Sequence, residues 1–156
     1  MNPYCNGCLH QIEVALQKTL DIMHHMTDAE LSLRPTPDKM SVGELLEHIA
    51  TICRTDYYIS LGYSQKKMTA IYEEIRLETL EEIKEAMTTN FASLKQAYHQ
   101  YSDEELHTPI TSYWGTSYTR FEWLAEIVAH IYHHRGQLHA ILTHCYGKDL
   151  HLVLFE

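Results

Sequence analysis

Twelve histidines stand in this chain of 156 residues, and three of them are spaced so that they could do chemistry. His130 and His134 lie four residues apart in Ala129-His130-Ile131-Tyr132-His133-His134-Arg135-Gly136-Gln137-Leu138. On a helix that spacing sets both imidazoles on one face, one turn from each other. Two imidazoles so placed can converge on one metal ion, at Zn–N distances of about 2.0–2.1 Å. His48, in Glu44-Leu45-Leu46-Glu47-His48-Ile49-Ala50, sits among Leu45, Ile49 and Ile52 on the apolar side of another segment. Taken alone, His48 reads as a core-edge histidine bonded to a carbonyl. Together with two more imidazoles on a facing helix it describes a three-histidine metal site. Three protein ligands with a fourth position left to water is the arrangement of catalytic zinc-type centres. Carboxylates often orient such imidazoles, and Glu44, Glu47 and Glu126 each fall within one helical turn of a candidate ligand. His133 is a further candidate for that supporting role, or for a dimer surface. His139 points to another side of the helix. His24, His25, His99, His107, His144 and His151 read as solvated or capping side chains.

These side chains need helices to carry them, and apolar periodicity supplies four. The first is predicted from Leu9 to Met26, with Leu9, Ile12, Leu16, Leu20 and Met23 on one stripe. A short helix around Ala29–Leu33 ends at Arg34-Pro35-Thr36-Pro37, where each proline removes a donor and restricts its predecessor. The second long helix starts at a capping box, Ser41 with Glu44 three residues on, and runs to about Leu61. The third spans about Thr79 to Tyr101, striped by Leu80, Ile83, Met87, Phe91, Leu94, Tyr98 and Tyr101. Residues 102–117 break the period and read as a long connection, without strand pairs. The fourth helix runs from about Thr119 to Cys145 and is closed by Gly147. Gly136, inside it, implies close approach of another element, since glycine there costs about 1 kcal/mol relative to alanine. The tail from Leu150 to Phe155 could be a docked extended segment. Four such stripes bury one another as an all-α four-helix bundle, a single domain over residues 1–156, whose two long connections allow crossovers.

Composition narrows the function. Twelve basic and 21 acidic residues give a net charge of −9, which disfavours nucleic acid and anionic membrane surfaces as partners. The first residues show no signal peptide, and no apolar run approaches the roughly 20 residues of a spanning helix. The chain therefore reads as cytoplasmic. Cys53 and Cys145 fall inside helical patterns, where a thiol acts as a small hydrophobe. Cys5-x-x-Cys8 reads as two thiols at a frayed terminus.

The motif His130-x-x-x-His134-Arg135-Gly136-Gln137-Leu138, preceded by Glu-Leu-Leu-Glu-His48-Ile-Ala, resembles the DinB/YfiT-like family of bacterial four-helix-bundle metalloproteins. The likeness extends to Leu33-x-Pro35-x-Pro37, to Ser41-Val42-Gly43-Glu44-Leu45 and to Trp123-Leu124, with Met40 where such sequences often carry tryptophan. It implies a bundle with two crossing connections and a divalent metal, zinc or nickel, on His48, His130 and His134. It also implies a homodimer, and a metal that activates a low-molecular-weight thiol for S-transfer or isomerisation of a small-molecule substrate.

Other metal and nucleophile chemistries lack their residues. A di-iron carboxylate bundle needs two Glu-x-x-His pairs, and only Glu104-x-x-His107 is present, beside Pro109. His-Glu-x-x-His, a glycine-rich phosphate loop and a Gly-x-Ser-x-Gly elbow are all absent. Two functions remain: a metalloenzyme that joins a thiol to an electrophile, or a non-catalytic metal-binding stress-response protein acting through binding or dimerisation. An open coordination position beneath a pocket favours the first, and a fourth protein ligand the second. Tyr57, Tyr58, Tyr113 and Trp114 are candidates to line such a pocket.

Overall fold

A computed structural model describes residues 2–155. Its long helices are α1 (Pro3–Met23), α2 (Val42–Ile59), α4 (Leu80–Gln100) and α6 (Arg120–Ala140). Shorter elements are a 3-10 turn (Asp28–Ser32), α3 (Gln65–Glu74), α5 (Asp103–Leu106) and a hairpin of β1 (Pro109–Thr111) with β2 (Ser117–Thr119). Their starts are written in cap residues. Ser41 accepts from the Glu44 N–H at 3.1 Å while Glu44 accepts from the Ser41 N–H at 2.7 Å, as the sequence predicts. Thr79 with Glu82, and Thr119 with Glu122, form the same reciprocal pair at α4 and α6.

The bundle closes with α1 packed on α4 and α6, and α2 packed on the same two helices. Helices α1 and α2 thus face each other across one diagonal, and α4 and α6 across the other. Residues 24–41 and 101–119 cross the bundle ends, so the predicted crossovers exist. Gly43 fits the first crossover to α2: a Cβ there would lie 2.9 Å from the Leu31 carbonyl oxygen. The core is aliphatic, with Leu9, Ile12 and Ile22 of α1, Leu46, Ile49 and Ile52 of α2, Ile83 and Leu94 of α4, and Leu124 and Ile131 of α6 all buried. Burial of each contributes roughly 1.5–3 kcal/mol. A smaller cluster of Ile59, Met68 and Trp123 ties α3 and the hairpin to one end.

Several local expectations are corrected. Helix α1 begins at Pro3, because Asn2 caps it by accepting from the Tyr4 N–H at 2.9 Å. Cys5 is therefore fully buried in a regular helix rather than frayed, and burial pushes its thiol up to about 11. The polar helix α3 falls where no element was predicted, since only Met68 of it is buried. The hairpin occupies part of the predicted connection, with Pro109 opposite Thr119 and Thr111 opposite Ser117. Beyond Ala140 the last helix widens into one π turn, Ile141–Cys145, which leaves Cys145 exposed. Gly147 follows at φ 64, consistent with a terminating glycine. The tail docks without regular structure, through buried Leu150 and a hydrogen bond from Arg135 Nη1 to the Leu154 carbonyl at 2.6 Å. Gly136 is the clearest miss, because a Cβ there would meet nothing within 4 Å.

None of the buried aliphatic residues depends on an ion, so the bundle should fold without one. In chelator the protein should keep its helical circular dichroism and melt cooperatively. A saturating divalent ion should raise its stability by RT ln(1 + [L]/Kd), about 3–4 kcal/mol at 100 to 1,000 times Kd. Loss of helicity on chelation at room temperature would show instead that the ion builds the fold.

Candidate metal centre

Helices α2 and α6 are neighbours, and their facing sides carry His48 against His130 and His134. The three side chains meet at their Nε2 atoms. His48 Nε2 lies 3.2 Å from His130 Nε2 and 3.1 Å from His134 Nε2. Nitrogens bound tetrahedrally to one ion at about 2.0–2.1 Å would stand about 3.3 Å apart, so the cluster could hold a divalent metal with little movement.

The protons support that fit. His130 Nδ1 donates to Asp56 Oδ2 at 2.7 Å, and His134 Nδ1 donates to Gln137 Oε1 at 2.6 Å. With Nδ1 carrying the proton, the neutral imidazole has a lone pair on Nε2. Two lone pairs therefore point at His48 Nε2, whose single N–H, if present, can satisfy only one of them. A cation resolves the conflict. Among the described residues no fourth His, Cys, Asp or Glu joins this group.

Burial and charge divide the titrations. Burial, then the adjacent His134 and His130, pushes His48 down to about 4. The hydrogen bond to Asp56 raises His130, while burial lowers His134. Glu126 Oε1 lies 3.9 Å from His130 Nδ1, and burial together with the charge of Asp56 pushes its carboxyl up to about 7.

The DinB superfamily profile matches residues 11–138. The chain belongs to the DinB superfamily. A comparison with curated proteins returns no match. The structure is similar to that of a DinB family member from Exiguobacterium sibiricum, at 26% identity and TM-score 0.86, covering 99% of each chain. A DinB-like protein from Bacillus cereus shares the fold at 20% identity and TM-score 0.73, over 95% of this chain and 96% of that one. Another from Bacillus subtilis does so at 19% and 0.68, over 99% and 98%.

In this DinB chain the remaining candidates divide clearly. Glu44 caps α2 and pairs with Arg34 at 3.0 Å, and Glu47 accepts from the Leu77 N–H at 2.7 Å. Neither carboxylate reaches a histidine ring nitrogen among the contacts observed. His133 is exposed and stands edge-on to His134, 4.8 Å between centroids. Sequence reasoning missed Asp56 and Gln137. Asp56 carried a signal, being a carboxylate two turns beyond His48 on a stripe otherwise filled by Ile52, Thr55 and Ile59. A cavity of about 280 Å³ opens beside His48 and His130, lined by Asp56, Glu126, Tyr72, Tyr113, Trp114 and Trp123 among others. A second, of about 290 Å³, lies on the other side of His48 against Glu44, Glu47 and Thr51. Tyr57 and Tyr58 line neither; they border a separate cleft with Arg54 and Asn90.

Two outcomes are expected. Asp56→Asn should weaken metal binding about 10- to 100-fold, the usual effect of losing an outer carboxylate, with the fold intact by circular dichroism; unchanged affinity would deny Asp56 its orienting role. In the metal-free protein, His48 titrates at about 4 folded and at about 6.5 unfolded. A depressed pKa contributes stability that is present above 6.5 and lost as pH falls toward 4. The lowered His134 adds to this, while the raised His130 and Glu126 have the opposite sign, so the His48 contribution is read by difference. Thermal melts in chelator should show the Tm of His48→Gln rising relative to that of the unsubstituted protein as pH falls from 7 to 4.5; a constant difference would deny His48 its depressed pKa.

Proposed function

We propose that this DinB protein is a divalent-metal-dependent enzyme that activates a low-molecular-weight thiol for transfer to a small electrophile. His48, His130 and His134 hold the ion in this reading. The observation that carries it is the convergence of three Nε2 atoms with more lone pairs than protons, beside an open cavity. Bound there, zinc or nickel supplies Lewis acidity that lowers the pKa of a thiol, because the thiolate is the nucleophile.

The chain's own groups do the rest. Asp56 and Gln137 hold the Nδ1 protons of His130 and His134, which fixes ring orientation and keeps both Nε2 lone pairs turned inward. Glu126, held near neutrality by its surroundings, is the group able to take a proton from an arriving thiol at Oε1 and return it to product. Trp123, 2% exposed, walls the cavity behind the exposed aromatic side chains. A non-catalytic metal protein would close its coordination with a fourth protein ligand, and the described residues offer none. A small-molecule substrate, a homodimeric state and a cytoplasmic setting belong to the same proposal.

The purified protein should carry about one zinc or nickel ion per chain by elemental analysis, and His130→Ala should lose it while His144→Ala keeps it. Turnover of model electrophiles with glutathione or bacillithiol should stop in chelator and return with zinc or nickel. Equal rates in chelated and loaded protein would remove the enzymatic reading.

A further inference from the structure

The cavity beside His48 and His130 has walls of a particular chemistry. Its inner end is polar and acidic: Asp56 is 6% exposed and Glu126 is partly buried. Its outer end is aromatic, with Tyr72, Tyr113 and Trp114 exposed by 41%, 42% and 52%, and Trp123 buried behind them. The rings stand at right angles: Tyr113 to Trp114 at 88° and 4.8 Å, and Trp114 to Trp123 at 86° and 6.1 Å. Perpendicular rings form a corner rather than a stack. Both indole N–H groups are already spent, Trp114 Nε1 on Thr116 Oγ1 at 2.8 Å and Trp123 Nε1 on the Ile110 carbonyl at 3.1 Å. What the two indoles offer a ligand is therefore their π systems, to which Tyr72 and Tyr113 add phenol oxygens able to accept from an ammonium N–H. No lysine or arginine lines this cavity, nor the one on the other side of His48.

We propose that this cavity selects a small substrate carrying an ammonium group on an apolar body, the ammonium held in the corner of Tyr72, Tyr113 and Trp114. The inference deepens the reading of the histidine cluster as a reaction centre, and rests on it for the direction of the substrate, reactive end toward His48 and His130. Cations are drawn to the negative faces of aromatic rings, most strongly to tryptophan. A dication on the imidazoles leaves that preference standing, since Asp56 at the same inner end offsets part of its charge and the aromatic corner lies at the other end of the cavity. The outer corner then acts through its ring faces and phenol oxygens, none of which carries a positive charge. A net charge of −9 favours the approach of cations over anions. A volume of about 280 Å³ admits one ring or a short alkyl chain, at the small end of ligand cavities.

The chain contains two tryptophans, and both line this cavity, so intrinsic emission reports on it directly. The experiment titrates chelated and zinc-loaded protein with 2-phenylethylammonium, 2-phenylethanol and 3-phenylpropanoate, which share a body and differ in charge. Saturable emission change is expected for the cation at least tenfold tighter than for the anion, in both forms of the protein, with the alcohol between. Trp114→Leu, at an exposed hairpin position, should weaken the cation at least fivefold while circular dichroism stays unchanged. Equal binding of cation and anion, tighter binding of the anion in the zinc form, or no saturable change with any probe would overturn the proposal. A chain that bound no metal would defeat the reaction-centre reading but leave the charge preference intact, so the two failures are distinguishable.

Discussion

Three imidazole nitrogens turned toward one point hold more lone pairs than protons to share, and a protein keeps them there only when its scaffold holds the rings in place. In this chain that fixing comes from two helices and two acceptors. Helix α6 supplies His130 and His134 one turn apart, and α2 brings His48 to within 3.1 and 3.2 Å of them. Asp56 and Gln137 then remove the remaining freedom, because an Nδ1–H bonded to an acceptor leaves the ring one rotational choice. The costs are visible in the same place. His48 loses its ordinary basicity to burial, and Glu126 loses much of its acidity. Perturbation of this kind concentrates where titratable groups serve chemistry rather than packing.

The topology follows from the need to seat α2 against α6. Consecutive long helices joined by tight turns would place α1 beside α2. Here α1 and α2 stand across a diagonal, as do α4 and α6, which makes α2 and α6 neighbours with their histidine faces together. Two crossing connections are the consequence. The first is held by the approach of Leu31 to Gly43, and the second by the hairpin whose Ile110 carbonyl takes the Trp123 N–H. Each crossover is thus fastened to one of the helices that carry the three histidines.

How much of this was legible depended on the length of the pattern. Long apolar stripes recur over five or more turns, so α2, α4 and α6 could be read, and with them the facing positions of His48, His130 and His134. Asp56 was hidden by its type: a charged residue on an apolar stripe looks like an exception until its partner is known, and that partner is 74 residues away. Helix α3 was hidden because its burial rests on Met68 alone, which gives no period. Strands of three residues show no alternation. Gly136 misled because its cost was ascribed to a neighbour, and the structure places open space there; nothing in the fold explains that glycine. The frayed reading of Cys5 failed because a single cap, Asn2, extended α1 by a turn and a half beyond its first apolar repeat.

The elements that sequence periodicity reads worst are also the ones that line the cavity, and both facts have one physical origin. Helix α3 and the hairpin contribute Tyr72, Tyr113 and Trp114 to the outer wall, yet only a handful of apolar side chains anchor them, through the Ile59, Met68 and Trp123 cluster. Sparse anchoring leaves a weak pattern in the sequence. It also means that their exposed residues can change without touching the aliphatic core beneath. The bundle sets the three histidines in fixed geometry, and the same bundle recurs in a DinB family member at only 26% identity. The lining can then vary from one such bundle to the next. Function resides in sites carried on a fold rather than in the fold itself. In this chain the division runs along a line that can be named: the histidine cluster on α2 and α6, the outer cavity wall on α3 and the hairpin.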